Sequence, residues 1–122
     1  MTWEFDNNIP IYIQLVENIK IEIISEILKP GERLPSVREL AIQNKVNPNT
    51  MQKALTELEN LKLIYTERTN GKFVTTDKNL IFQHKQAYAN ELSNQYFQKM
   101  QKIGFCKNKT IQYLKELEGE RK

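Results

Sequence analysis

The sequence predicts a mainly α chain with one small β-hairpin, and three observations predict it. Ser36 is followed three residues on by Glu39, a capping box in which each side chain can satisfy a backbone N–H of the other, so a short helix begins at Val37. Asn47 then stands as N-cap and Pro48 at the first helical position, where a missing N–H costs nothing. Asn70-Gly71 separates the apolar runs Leu63-Ile64-Tyr65 and Phe73-Val74-Thr75, which reads as a hairpin turning at residues that tolerate positive φ. Two short helices with so brief a connection must cross steeply. With a hairpin behind them they make a winged helix-turn-helix, whose second helix directs its N-terminal residues into the DNA major groove.

The first helix is expected from residue 10 to about residue 28, opened by Pro10, with Tyr12, Leu15, Ile19, Ile23 and Ile27 on one stripe and Ile13, Ile24 and Leu28 widening it. Core burial accounts for such a stripe, and a share in a dimer surface is the alternative. Lys29-Pro30-Gly31 ends the helix with Pro and Gly in the central positions of a type II turn. Leu34, before Pro35, is biased to an extended step. In the second helix Val37, Leu40 and Ala41 share a face.

The third helix is expected from residue 48 to about residue 61, turning Met51, Ala54, Leu55 and Leu58 inward and Asn49, Gln52, Lys53 and Thr56 outward. Asn and Gln pair with adenine edges, and Lys reaches guanine or phosphate, so this outer face is the predicted reader of sequence. Thr50 has two readings, donation to a phosphate or packing in the turn. At the wing tip Arg68, Asn70 and Lys72 suit the minor groove or flanking phosphates, while Gly71 allows close backbone approach. With Arg38 and Asn47, the predicted DNA-binding residues are Arg38, Asn47, Asn49, Thr50, Gln52, Lys53, Arg68, Asn70, Gly71 and Lys72.

Beyond Val74 the composition shifts toward Gln, Asn and Lys. Asp77 is the expected cap of a long helix reaching Ile103, with Ile81, Tyr88, Leu92, Tyr96 and Ile103 on one stripe beside Ala89, Phe97 and Met100. Gly104 stops it, and a last helix over residues 107–118 presents Ile111, Leu114 and Leu117. Two helices cannot enclose a core alone, so the winged domain or another subunit must cover them; a symmetric dimer is the commonest solution and the one expected, with Tyr88, Leu92, Tyr96, Phe97, Met100, Ile111 and Leu114 in its interface. The expected domains are therefore a winged helix-turn-helix over residues 1–76 and a short helical dimerisation region over residues 77–122.

Charge supports this placement more by distribution than by total, which is only +3. Residues 33–53 hold Arg33, Arg38, Lys45 and Lys53 against Glu39 alone, while the first helix carries Glu17, Glu22 and Glu26. No stretch approaches the roughly 20 apolar residues of a membrane span, and residues 1–10 lack a cationic start with an apolar run, so no signal peptide is expected. The single cysteine, Cys106, permits no internal disulfide, and these features together point to the cytoplasm. His84 is the only histidine. With one of each, neither Cys-His catalysis nor a zinc site is expected, no Gly-rich phosphate loop appears, and no cofactor is expected. Asn108-Lys109-Thr110 fits a glycosylation pattern by chance in a chain not directed to secretion. From a different class, the competing reading is a winged-helix module whose third helix meets a protein instead of DNA.

The pieces PIYIQLVENIK, LKPGERLPSVRELA, VNPNTMQKALTELENLKLI and NGKFV, in that order over residues 10–74, resemble the GntR transcription regulators, and within them the short YtrA-type subfamily. The resemblance implies a winged helix followed by a small helical dimerisation region, with DNA contacts from Arg38, Asn49, Thr50, Lys53 and the wing around Gly71. A symmetric dimer predicts an inverted-repeat operator, and a dimer seated there would most simply block RNA polymerase, so repression is the expected mode; the resemblance suggests transporter genes as targets, and no catalytic domain is expected. An unidentified small-molecule effector would have only a small pocket between helices or at the dimer interface. Four positions depart from the family pattern. Lys45 replaces a common glycine in the turn, which implies a left-handed non-glycine residue at about 1 kcal/mol. Thr69 replaces the earlier of two wing glycines, and Pro48 and Gln52 stand where other subfamilies place DNA-contacting arginines.

Overall fold

The computed structural model describes residues 2–120. Met1, Arg121 and Lys122, at the outer ends of the two expected regions, lie outside the described residues. Helices α1 (Ile11–Ile24), α2 (Val37–Asn44) and α3 (Pro48–Asn60) precede strands β1 (Ile64–Glu67) and β2 (Gly71–Val74), and helices α4 (Lys78–Lys102) and α5 (Lys107–Glu120) follow. This is the mainly helical winged helix-turn-helix with a C-terminal helical region that the sequence predicts. The chain forms two compact units, one through Lys85 and the other from Gln86 onward.

The core of the first unit is apolar and assembled from every element of the motif. Leu15, Ile19 and Ile23 of α1, Leu40 of α2, Met51, Leu55 and Leu58 of α3, and Leu63 beside the wing are fully buried. Each such side chain contributes about 1.5–3 kcal/mol on leaving water. Helix α1 nevertheless stops at Ile24, short of the expected residue 28. Glu26 turns left-handed (φ 61°), its N–H bonds the Ile23 carbonyl at 3.2 Å, and Leu28 N–H bonds the Glu22 carbonyl at 2.9 Å. That reversal throws Ile27 outward at 66% exposure, and Ile13 is 45% exposed, so neither belongs to the buried stripe.

Beyond α1 the Lys29-Pro30-Gly31 turn forms as expected: Gly31 has φ 79° and Glu32 N–H reaches the Lys29 carbonyl at 3.0 Å. The extended step after it pairs with the wing. Leu34 N–H bonds the Lys72 carbonyl at 2.8 Å, Val74 N–H bonds the Glu32 carbonyl at 2.9 Å, and Arg33 bridges Phe73. In the antiparallel hairpin Tyr65 opposes Phe73, and their rings stack at 5.6 Å. The hairpin does not turn on Asn70-Gly71 as a pair. Asn70 N–H closes a turn onto the Glu67 carbonyl at 3.2 Å, and only Gly71 of the two has positive φ (102°), the arrangement of a longer loop followed by a glycine.

Asp77 caps α4 as expected, accepting the Leu80 N–H at 3.1 Å. At the far end Gly104 has φ 96°, and Phe105 N–H bonds the Met100 carbonyl while Gly104 N–H bonds that of Gln101, both at 3.0 Å. Within the second unit Phe105 meets Tyr113 edge-on at 5.6 Å, and buried Thr110 donates its hydroxyl to the Cys106 carbonyl at 2.9 Å. Leu92, Tyr96, Ile111, Leu114 and Leu117 are 38–50% exposed. Among the described residues no helix is long and apolar enough to cross a membrane.

Candidate nucleic-acid interface

The two helices of the motif are joined by a tight turn with capping bonds on both sides. Ser36 Oγ accepts the Glu39 N–H at 3.1 Å, starting α2. Lys45 closes it in the left-handed region (φ 55°, ψ 43°), with Val46 N–H on the Ala41 carbonyl at 3.0 Å. A lysine thus holds a backbone conformation that favours glycine. Asn47 Oδ1 then accepts the Asn49 N–H at 2.7 Å, so the cap oxygen is committed to starting α3. Buried Asn44 ties in the N-terminal segment, accepting the Trp3 N–H at 3.2 Å.

Helix α3 is two-faced. Met51, Ala54, Leu55 and Leu58 are all at 0% exposure, whereas Asn49, Gln52, Lys53 and Thr56 are exposed and Thr50 is half-buried. Arg38 and Asn47 are exposed as well. Gln52 donates to Thr56 Oγ1 at 3.2 Å along the outer face. Lys53 is held from outside its own helix, its ammonium lying 3.8 Å from the centroid of the Tyr12 ring of α1.

In the wing, Arg68 and Asn70 are exposed and Asn70 donates to Glu67 Oε2 at 3.1 Å. Lys72 is drawn back toward α3: its ammonium pairs with Glu59 and donates to Thr66 Oγ1 at 2.9 Å, while Thr66 donates to Glu59 at 2.7 Å. Partial burial pulls the Glu59 carboxyl upward, but the hydrogen bonds from Lys72 and Thr66 and the Lys72 charge outweigh it and leave the group below its ordinary value. Gly71 carries Arg33 above it, for a Cβ there would sit 3.3 Å from Arg33 Nε. Arg33, Ser36, Val37, Arg68 and Lys72 line a cleft of about 360 Å³ between the wing and the start of α2. Sequence reasoning missed three partners, Tyr12 under Lys53, Glu59 against Lys72 and Arg33 over Gly71, because each pair meets only through tertiary packing.

Arginines in the wing cleft and an exposed polar start of α3 are features that a duplex-binding surface uses. The family model for bacterial regulatory proteins of the gntR family matches residues 11–74, from the first residue of α1 to the last of β2. The chain belongs to the GntR family. That membership makes it a DNA-binding transcription regulator and not an enzyme.

Two relatives from Bacillus subtilis (strain 168) align over nearly the whole chain. The HTH-type transcriptional regulator YhcF is 34% identical over 92% of this chain and 93% of its own. The HTH-type transcriptional repressor YtrA is 34% identical over 91% of this chain and 86% of its own. A GntR family transcriptional regulator from Listeria monocytogenes has the same fold at TM-score 0.85 and 42% identity, covering 92% of this chain and 98% of that one. The AraR DNA-binding domain, solved in complex with operator ORX1, superposes at TM-score 0.56 and 26% identity over 62% of this chain and 95% of its own.

Proposed function

We propose that this GntR-family chain is a dimeric repressor of the YtrA type that reads an inverted-repeat operator with the N-terminal turns of α3 and braces on flanking phosphates with its wing. One observation carries the reading: α3 buries one complete apolar face and leaves Asn49, Gln52 and Lys53 exposed beside its capped start. The side chains nearest that start are those a recognition helix offers to base edges. The operator complex of the AraR domain supports the same use of the fold. The repressor YtrA supports the direction of control, and YhcF, equally identical, supports regulation in general.

Dimerisation through residues 77–122 is supported by the exposed side chains of Leu92, Tyr96, Ile111 and Leu114. A two-fold dimer places its recognition helices about one DNA turn apart, which calls for half-sites about 10 base pairs apart or a multiple of that. It acts in the cytoplasm, where the DNA is, and represses by occluding RNA polymerase. Genes for membrane transporters are the targets the YtrA-type resemblance suggests. Selection of bound duplexes from a random pool by the purified protein tests this. The expected result is a palindromic consensus bound far more tightly than random duplex, with log affinity falling linearly with log salt. Enrichment of no sequence, or affinity indifferent to salt, would favour the protein-interaction module instead.

A further inference from the structure

Tyr12 lies in the first turn of α1 and Lys53 in the second turn of α3, so their 3.8 Å contact bridges two helices. Glu17 and Glu57 flank Tyr12 around a shallow depression of about 270 Å³, and Glu57 is one turn along α3 from Lys53. Carboxylates are therefore at hand. Yet among the described residues Lys53 forms no ion pair, and its recorded partner is the ring.

For a cation that meets DNA the two kinds of partner differ in consequence. A carboxylate would neutralise the ammonium and would have to be displaced before a phosphate or a guanine edge could take its place. An aromatic face attracts the ammonium through its quadrupole, leaves the charge whole, and leaves the N–H donors that point away from the ring free. It also confines a long flexible stem whose rotamer freedom would otherwise be lost on docking.

We infer that Tyr12 is a positioning residue for DNA recognition: its ring holds Lys53 out of an ion pair with Glu57 and pre-orders it for the duplex. This rests on the reading of Lys53 as a DNA contact. The ring, not the hydroxyl, does the holding.

A double-mutant cycle measured by fluorescence anisotropy on the best-bound duplex from the random pool tests it. Tyr12→Leu should weaken binding about two- to fivefold, Tyr12→Phe should match the parent protein, and Tyr12→Leu should cost nothing further once Lys53→Ala is present. Equal losses from Tyr12→Phe and Tyr12→Leu, or a Tyr12→Leu loss that persists in the Lys53→Ala background, would overturn the inference, because the hydroxyl, a direct Tyr12 contact or simple loss of fold would then be responsible. If Lys53→Ala alone leaves binding unchanged, the reading of Lys53 fails and the inference with it. A damaging Lys53→Ala with additive losses removes only the role of Tyr12.

Discussion

Gly71 is the position where the wing tolerates least. Its φ of 102° is costly for any L side chain, and the added Cβ would press on the Arg33 guanidinium at 3.3 Å. Gly71→Ala should lower stability by about 1–2 kcal/mol and weaken DNA binding, as thermal melts and anisotropy titrations will show. Lys45 offers the opposite case. It already occupies the left-handed region at the end of α2 (φ 55°), so Lys45→Gly should raise stability by about 1 kcal/mol in the same melts. The sequence revealed Lys45 because the family pattern places glycine there. It did not reveal Glu26 (φ 61°) or Lys62 (φ 63°), which end α1 and α3 in the same way: no glycine or asparagine marks either position, and the apolar periodicity of α1 runs on past its true end.

At the scale of elements, the faces of α2 and α3 were legible because capping residues fix where each helix starts, and apolar spacing then fixes which side is buried. Ser36, Asn47 and Asp77 all cap as expected. Side chains joining separate elements were not legible. Lys72 reads as a free wing cation, but Glu59 of α3 holds it in a partly buried ion pair, which on the proposed reading leaves DNA contact in the wing to Arg68 more than to Lys72. His84 near the start of α4 is another such residue. Burial, then the nearby Lys20 charge, push its imidazole below the ordinary 6.5, against a hydrogen bond to the Leu61 backbone. The folded state therefore binds fewer protons than the unfolded chain through this range. The stabilisation is complete above pH 6.5 and is lost as pH falls through the lower folded value. Melting temperature should decline on acidification between about pH 7 and pH 5, and His84→Gln should flatten that decline.

For the whole molecule, the C-terminal helices carry exposed apolar side chains, Leu92, Tyr96, Ile111, Leu114 and Leu117 among them, and on the proposed reading a second copy covers them. Leu92, on α4, is 50% exposed and lies one turn from Tyr96. Leu92→Lys should shift the protein toward monomer in sedimentation velocity and make operator binding steeply dependent on protein concentration, with the winged unit still folded. The sequence showed that the apolar stripes of these helices outrun any core the two could build alone, which leaves them to be covered by the winged unit or, as proposed here, by a second copy. It could not disclose the operator, because base preference depends on where flexible Asn, Gln and Lys side chains settle against a duplex.

The recognition role of α3 is tested most directly by the triple variant Asn49→Ala, Gln52→Ala, Lys53→Ala, titrated against the selected duplex and against random duplex. All three side chains are exposed, so melting temperature and dimerisation should hold while the preference for the selected sequence collapses toward the non-specific level. A variant that kept the full preference of the parent protein would place sequence reading elsewhere on the molecule and contradict the account.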